Sequence, residues 1–317
     1  MYNLINRYFA EGHIKMELGI MTNVYRWERL NSKNSPYIKQ MRDCAAAGFR
    51  VLDLNTCFSV HAGQNDDLAA DDWEARIEAV GEEAARLGVR FSQMHAPFNG
   101  DIFVCGKQPT AEYVENFRKM SLRAVRAAGK LGIPWVVVHP LTDTVNTEYD
   151  NEIQKRTNIE FYAEMLDAAR RVGTGLAFEN MAEFNRETCR RRYGAATEDL
   201  IDLVDTLGEG VGVCWDFGHG RELYADQPRQ LRKLGARLKA THVHDNRGER
   251  DSHLIPFVGG NIKWETIMPT LREIGYEGDF ILETHMFMKQ IPEALRPSAG
   301  RLMYEFGMYC MKLYENQ

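Results

Sequence analysis

Val211-Gly-Val-Cys-Trp-Asp216 is an apolar run that ends in a carboxylate, and the pattern recurs along this 317-residue chain. Other apolar runs also end in residues able to ligate a metal: Val-Val-Val-His139, Leu-Ala-Phe-Glu179, Ala-Thr-His242 and Ile-Leu-Glu283. Each run has the length and composition of a buried strand. In a closed barrel of parallel strands, all such endings face one rim, which is where barrels of this kind carry out their chemistry.

Strand patterns and helix patterns alternate along the chain. The predicted strands span residues 15–23, 50–55, 90–95, 135–139, 175–180, 211–216, 240–244 and 279–283. The predicted helices span residues 38–47, 71–87, 111–131, 151–172, 197–207, 227–238, 264–274 and 297–313. Strands that alternate with helices imply parallel βαβ units, because a parallel pair needs a crossover connection.

Eight such units predict an α/β protein with one (β/α)8 TIM-barrel domain over residues 15–317, preceded by an N-terminal extension of residues 1–14. A doubly wound open sheet is the alternative architecture. It usually has a glycine-rich phosphate loop after its first strand. The first strand here ends in Met21-Thr-Asn23 instead, which favours the barrel.

Composition limits the classes of partner and compartment. The net charge of −6 argues against a general nucleic-acid surface, because phosphate binding needs clustered Lys and Arg. No run approaches the roughly 18 apolar residues of a membrane span. The six cysteines are scattered, which suits a reducing compartment. We therefore expect a cytoplasmic protein with no membrane partner.

Three carboxylates and two histidines carry the chemical argument. Glu179, Asp216 and Glu283 each end an apolar run, where a charge is costly unless a partner neutralises it. A salt bridge at the rim would explain any one of them, but three converging on one opening favour a divalent metal site. His242 and His244 share a strand and point the same way, so one can ligate a metal while the other orients it or binds substrate.

Further metal-capable residues are expected near the same rim. His95 and His139 end the third and fourth strands, and His219 follows the sixth strand by three residues. Asp251 and His253 lie in the loop after the seventh strand, and their D-x-H spacing lets two ligands reach one ion. We interpret this outer set as residues for substrate contact or for additional metal ions.

These motifs, taken in order, resemble the xylose isomerase-like barrel superfamily, which includes sugar isomerases and epimerases and endonuclease IV-type DNA repair enzymes. The resemblance rests on Phe-Glu179-Asn, Trp-Asp216-Phe-Gly-His219, His242-Val-His244-Asp245-Asn246, Asp251-Ser-His253, Gly259-Gly260-Asn-Ile-Lys-Trp264 and Ile-Leu-Glu283-Thr. It covers the chain from about Lys15 to its end.

The resemblance implies a metal-dependent sugar or sugar-phosphate isomerase or epimerase. The cofactor implied is one divalent ion (Mn²⁺, Zn²⁺, Mg²⁺ or Co²⁺). Its implied ligands are Glu179, Asp216, His242 and Glu283. Glu179 and Glu283 would also act as acid and base on opposite faces of an open-chain sugar. His242 is preferred to His244 for its His-x-x-Asp spacing, and His219 corresponds to a histidine that contacts substrate.

The substrate stays unassigned beyond a small carbohydrate. The related ketose epimerases have a further substrate-binding glutamate a few residues after Glu179, and Glu183 and Arg186 are the nearby candidates. Arg247 or Arg250 would supply a basic contact. The apolar and aromatic segment 304–311 is compatible with packing on the barrel or against a second subunit, which leaves a homo-oligomer open.

Two alternatives to a sugar isomerase stay open. Endonuclease IV-type enzymes bind three zinc ions, so the chain could be a zinc phosphodiesterase. The residues available for such a site are His95, His139, Glu179, Asp216, His219, His242, Asp251, His253 and Glu283. The acidic net charge argues against this reading. A barrel that binds a sugar without turnover is the second alternative, although both glutamate bases are present.

Overall fold

Parallel strands build the central sheet of this computed structural model, which describes residues 16–25, 36–62, 66–98, 110–142, 149–182, 184–185 and 190–315. The strands are β1 (Leu18–Met21), β2 (Val51–Asn55), β3 (Arg90–His95), β4 (Trp135–Val138), β5 (Gly175–Glu179), β6 (Phe184–Asn185), β7 (Arg190–Arg191), β8 (Val211–Asp216), β9 (Leu238–His242) and β10 (Phe280–Leu282). β6 and β7 form a separate antiparallel pair.

The other eight strands close into a barrel. Their order is β10-β1-β2-β3-β4-β5-β8-β9, and all of their pairings are parallel. The two ends of the sheet meet where Val243 bridges Leu282. At this seam Val243 N donates to the Ile281 carbonyl over 2.8 Å, and Glu283 N donates to the Val243 carbonyl over 2.8 Å. The predicted single-domain (β/α)8 TIM barrel is confirmed.

Helices follow the strands and cover the outside of the barrel. The longer α-helices are Pro36–Ala47, Trp73–Leu87, Ala111–Leu131, Asn151–Val172, Thr197–Leu207, Gln227–Leu234, Trp264–Glu273 and Arg296–Glu315. Gly132 and Gly173 end two of them with φ of 68° and 78°, a conformation that glycine adopts at low cost. Short helices span Ser59–Ala62, Phe217–Leu223 and His285–Lys289.

The barrel interior contains a small apolar layer. Val137, Ala177, Cys214 and Ala240, from four neighbouring strands, form a buried cluster separate from the large core between strands and helices. Side chains in a strand alternate between its two faces. Residues two positions further along β5, β8 and β9, and just beyond β4, therefore point into the barrel above this layer. Those residues are His139, Glu179, Asp216 and His242.

The sequence missed several local details. The helix predicted over residues 227–238 ends at Leu234. β9 spans Leu238–His242, two residues earlier than the predicted strand 240–244, so His244 lies beyond the strand. The first strand is shorter than the predicted 15–23 and covers only Leu18–Met21. The helices Phe217–Leu223 and His285–Lys289 were not predicted. The N-terminal extension of residues 1–14 lies outside the described residues, and the domain boundary stays a prediction.

Within the described ranges, none of the helices combines the length and the apolarity needed to cross a bilayer.

The loop after β9 is held by the buried carboxylate of Asp245. This carboxylate accepts hydrogen bonds from the backbone amides of Asn246, Phe257 and Ile262 and from Trp264 Nε1, at 2.9 to 3.0 Å. Asp245 also exchanges two backbone hydrogen bonds with Leu254. One side chain thus fixes the path of the segment that carries Asp251 and His253.

We expect Asp245→Ala to destabilise the fold by about 2–4 kcal/mol, because it leaves several buried donors without an acceptor. Thermal unfolding followed by circular dichroism checks this as a lower midpoint. Asp43→Ala is the control, since Asp43 is half-buried and its ion pair among the described residues is with Lys39 on its own helix. Equal midpoints for the two variants would contradict the role given to Asp245.

Candidate metal and active site

Four buried side chains converge at the carboxyl ends of the barrel strands. One ligand atom from each of Glu179, Asp216, His242 and Glu283 lies within 4.8 Å of the other three. These residues are the last of β5, β8 and β9 and the first after β10. The structure therefore brings together all four residues that the sequence assigns to one ion.

The distances between these atoms suit a shared cation. His242 Nδ1 lies 3.2 Å from Glu179 Oε2 and 3.4 Å from Glu283 Oε2. Two ligands that each lie about 2.1 Å from one ion, at a tetrahedral angle, are about 3.4 Å apart. Glu179 Oε2 and His242 Nδ1 are buried, and neither has a hydrogen-bond partner among the described residues. Buried polar atoms are normally satisfied, so these two fit the ligand atoms of a divalent ion.

Two more imidazoles approach the same carboxylate oxygen. His95 Nε2 is 3.4 Å and His139 Nε2 is 3.1 Å from Glu179 Oε2, and the two nitrogens are 3.1 Å apart. His95, Glu179 and His242 form a second group able to hold a metal. Glu179 thus belongs to two of these groups at once.

A third group surrounds Asp251, in the loop after β9. Its carboxylate lies 2.9 Å from His253 Nε2 and 3.5 Å from both His219 Nε2 and His244 Nε2. His219 Nδ1 is in turn 3.4 Å from Glu179 Oε1. The five residues of the outer set, and His244, therefore lie beside the inner group of Glu179, Asp216, His242 and Glu283.

Local backbone geometry fixes the position of Asp216. Its side chain caps the helix Phe217–Leu223 by accepting from His219 N over 2.7 Å, and both of its oxygens lie 3.1 Å from His244 Nε2. A Cβ on Gly218 would come within 1.7 Å of His244 Cε1, so glycine is required for this close approach. Asn180 donates to the Asp216 carbonyl and accepts from its amide.

Sequence reasoning missed three residues of the site. Asp53 is fully buried on β2 and lies 3.2 Å from His242, and Gln93 on β3 donates to it. His285 packs on His253 with ring centroids 4.1 Å apart, and its Nδ1 is 3.9 Å from Glu283 Oε1. Asp53 could have been identified from the sequence, because it is a carboxylate between apolar residues of the predicted strand, where a charge needs a partner.

The two glutamates of the inner group differ in proton affinity. Burial acts to raise the pKa of Glu179, but His242 and His139 hold it well below its usual value. Burial raises the pKa of Glu283 above its usual value, and the nearby His242 and His253 offset this only in part. A pair of carboxyls with separated pKa values is typical of an acid and base pair.

The substrate-binding candidates Glu183, Arg186, Arg247 and Arg250 have different outcomes. Glu183 and Arg186 lie outside the described residues. Arg247 is exposed, and its guanidinium donates to the Gly259 carbonyl. Arg250 is exposed as well. Their contact with a substrate stays a prediction.

Comparisons with known proteins place the chain among barrels of one family. A family model described as xylose isomerase-like TIM barrel matches residues 41–302. An uncharacterized protein of Methanocaldococcus jannaschii is 29% identical over 211 residues, which are 64% of this chain and 66%, just under two thirds, of that protein. An uncharacterized protein of Sinorhizobium fredii is 29% identical over 259 residues, which are 76% of this chain and 78% of that protein.

A protein of Oceanobacillus iheyensis named probable endonuclease 4 is 29% identical over 191 residues, which are 57% of this chain and 60% of that protein. Among solved structures, a D-tagatose 3-epimerase-like protein has a TM-score of 0.70 at 22% identity, covering 94% of this chain and 98% of its own. A D-psicose 3-epimerase solved in the presence of D-fructose has a TM-score of 0.67 at 18% identity, covering 93% and 99%. These structural likenesses show a shared fold.

Proposed function

Because the chain belongs to the xylose isomerase-like TIM barrel family, we propose that it is a metal-dependent isomerase or epimerase of a small carbohydrate. The observation that carries the proposal is the inner group, in which Glu179 at the end of β5 and Glu283 just after β10 lie within 3.4 Å of the same imidazole nitrogen of His242. The epimerase names of the structural neighbours support the carbohydrate class.

Glu179, Asp216, His242 and Glu283 would hold the ion. When bound, a divalent ion polarises a sugar carbonyl and acidifies the neighbouring C–H bond. Glu179 and Glu283, which lie 3.2 and 3.4 Å from His242 Nδ1, would remove the proton from one face of that carbon and return one to the other. Two bases on opposite faces give epimerisation, whereas one base that moves the proton between adjacent carbons gives isomerisation.

The rim also offers apolar contact for a sugar ring. Phe98 is 44% exposed and packs edge-on against His139, with ring centroids 5.2 Å apart. An aromatic face beside the polar site suits the C–H face of a sugar. Phe98 is the described aromatic residue that we expect to contact substrate.

A zinc phosphodiesterase is the second candidate, and a specific observation favours it. His95 and His139 converge on Glu179, and Asp251 lies between His219 and His253, so the site has ligands for more than one ion. The name of the relative called probable endonuclease 4 supports this second candidate. The net charge of −6 disfavours it, because DNA binding depends on neutralising phosphates.

One experiment separates the candidates. The Mn²⁺-loaded protein is incubated in D₂O with a panel of free and phosphorylated ketoses and aldoses, and proton NMR follows exchange at the carbon beside the carbonyl. A parallel assay offers a DNA duplex with an abasic site. We expect deuterium incorporation into at least one sugar and no incision. Incision without exchange would favour the phosphodiesterase, and sugar binding without exchange would favour a non-catalytic barrel.

A cytoplasmic location and a homo-oligomeric state stay predictions.

A further inference from the structure

We propose that Asp53 is a positioning residue that holds the His242 imidazole with its Nδ1 toward Glu179 and Glu283. The inference rests on the proposed metal-dependent function. Asp53 lies on β2 and His242 on β9, two strands that are not neighbours in the sheet. Asp53 Oδ2 reaches His242 Nε2 through the barrel interior, at 3.2 Å.

The surroundings of Asp53 consist of hydrogen-bond donors. Gln93 Nε2 donates to Oδ2 over 2.7 Å, and the backbone amide of His95 donates to Oδ1 over 3.0 Å. Gln93 Nε2 also lies 3.3 Å from the Thr241 carbonyl, the residue before His242. Asp53 is fully buried, so solvent supplies none of these contacts. A carboxylate, which only accepts, is the group that suits this position.

This environment selects one arrangement of the His242 ring. The proton on Nε2 has Asp53 as its acceptor, which leaves the lone pair of a neutral imidazole on Nδ1. Nδ1 is the atom that lies 3.2 Å from Glu179 Oε2 and 3.4 Å from Glu283 Oε2. The opposite tautomer would set an Nε2 lone pair against the lone pairs of Asp53. Carboxylates that act through a ligating histidine in this way tune both ring orientation and basicity.

Asp53 also links two of the metal-capable groups. Its Oδ1 holds the backbone of His95, and its Oδ2 holds the ring of His242. The two imidazoles stack with centroids 5.4 Å apart and planes 7° from parallel. One carboxylate therefore sets the relative position of two imidazoles that both approach Glu179.

Asp53→Asn, made in the whole 317-residue chain, tests the inference. The asparagine keeps the shape but replaces one acceptor oxygen by an NH₂ group that faces donors. We expect the dissociation constant for Mn²⁺, titrated into metal-free protein by calorimetry, to rise about 10- to 100-fold. A value within about twofold of wild type would overturn the proposal.

Asp279→Asn is the matched control, because Asp279 is also a buried carboxylate. It lies at the opposite end of the barrel, where it accepts from Arg90 and from the Glu17 amide. We expect this variant to lose stability and to keep the wild-type Mn²⁺ affinity. An equal loss of Mn²⁺ affinity in both variants would overturn the proposal, because the effect of Asp53→Asn would then come from a general destabilisation of the barrel.

A measurement on the unmodified protein keeps the proposal testable even if Asp53→Asn does not fold. In Zn²⁺-loaded protein labelled with ¹⁵N at histidine, with the His242 signals identified by their loss in His242→Asn, we expect a protonated Nε2 and a metal-bound Nδ1. A protonated Nδ1 would overturn the inference. Wild-type protein that binds neither ion would instead remove the proposed function, so the two failures are distinguishable.

Discussion

Glu283→Gln is expected to lower turnover by about two to four orders of magnitude, the usual contribution of a general acid or base. Glutamine has nearly the same shape but cannot take up and return a proton at the substrate carbon. The backbone should survive the change, because Glu283 N is anchored by the Val243 carbonyl at the barrel seam.

The loss of turnover is measured with the sugar that the panel of ketoses and aldoses identifies, by initial rates and by solvent deuterium exchange. Glu277→Gln, an exposed glutamate just before β10, is the control and should keep the wild-type rate. Glu179→Gln should lower turnover at least as much. It should also weaken metal binding more than Glu283→Gln, because Glu179 Oε2 lies within 3.4 Å of the imidazole nitrogens of His95, His139 and His242. Wild-type turnover in either glutamine variant would remove the two-base scheme.

Removal of the metal is expected to abolish activity completely and to lower the thermal midpoint. Without an ion, the carboxylates of Glu179, Asp216 and Glu283 lie buried side by side, and the described groups that balance their charge are imidazoles. An ion present at about 100 times its dissociation constant stabilises the folded state by about 2.7 kcal/mol. Dialysis against a chelator followed by scanning calorimetry and activity assays, with and without added Mn²⁺, Zn²⁺, Mg²⁺ or Co²⁺, measures both effects.

A protein that keeps its activity and its thermal midpoint after chelation would contradict the metal site. Elemental analysis of the same sample counts the ions. One ion per chain fits the inner group alone, and three would favour the phosphodiesterase candidate, because the outer histidines and Asp251 would then be ligands as well.

The barrel and the convergence of its four candidate ligands were predictable, because both follow from the alternation of strand and helix patterns along the chain. Glu179, Asp216, His242 and Glu283 each close an apolar run, and parallel strands must carry such endings to one rim. The orientation of His242 was not predictable in this way. It depends on Asp53, which is 189 positions away in the sequence and reaches it only once the barrel has closed.

Two other features of the site depend on local backbone geometry and could not be predicted from the sequence pattern. Asp216 and the helix Phe217–Leu223 are continuous in the chain, so no polar loop marked where the strand ended and the helix began. His285 follows Glu283 by two residues, but its approach to His253 depends on a short helix that the sequence did not predict. Contacts between loops, unlike strand endings, have no periodic signature in the sequence.

The small apolar layer of Val137, Ala177, Cys214 and Ala240 also constrains how this protein can diverge. Glu179, Asp216 and His242 each lie two positions beyond a member of that layer. Deleting one residue inside β5, β8 or β9 would therefore turn that candidate ligand outward and Phe178, Trp215 or Thr241 inward. Insertions and deletions are therefore tolerable only in the connecting loops. Relatives should vary in loop length around strands of constant length, and new substrates should arise from the loops alone.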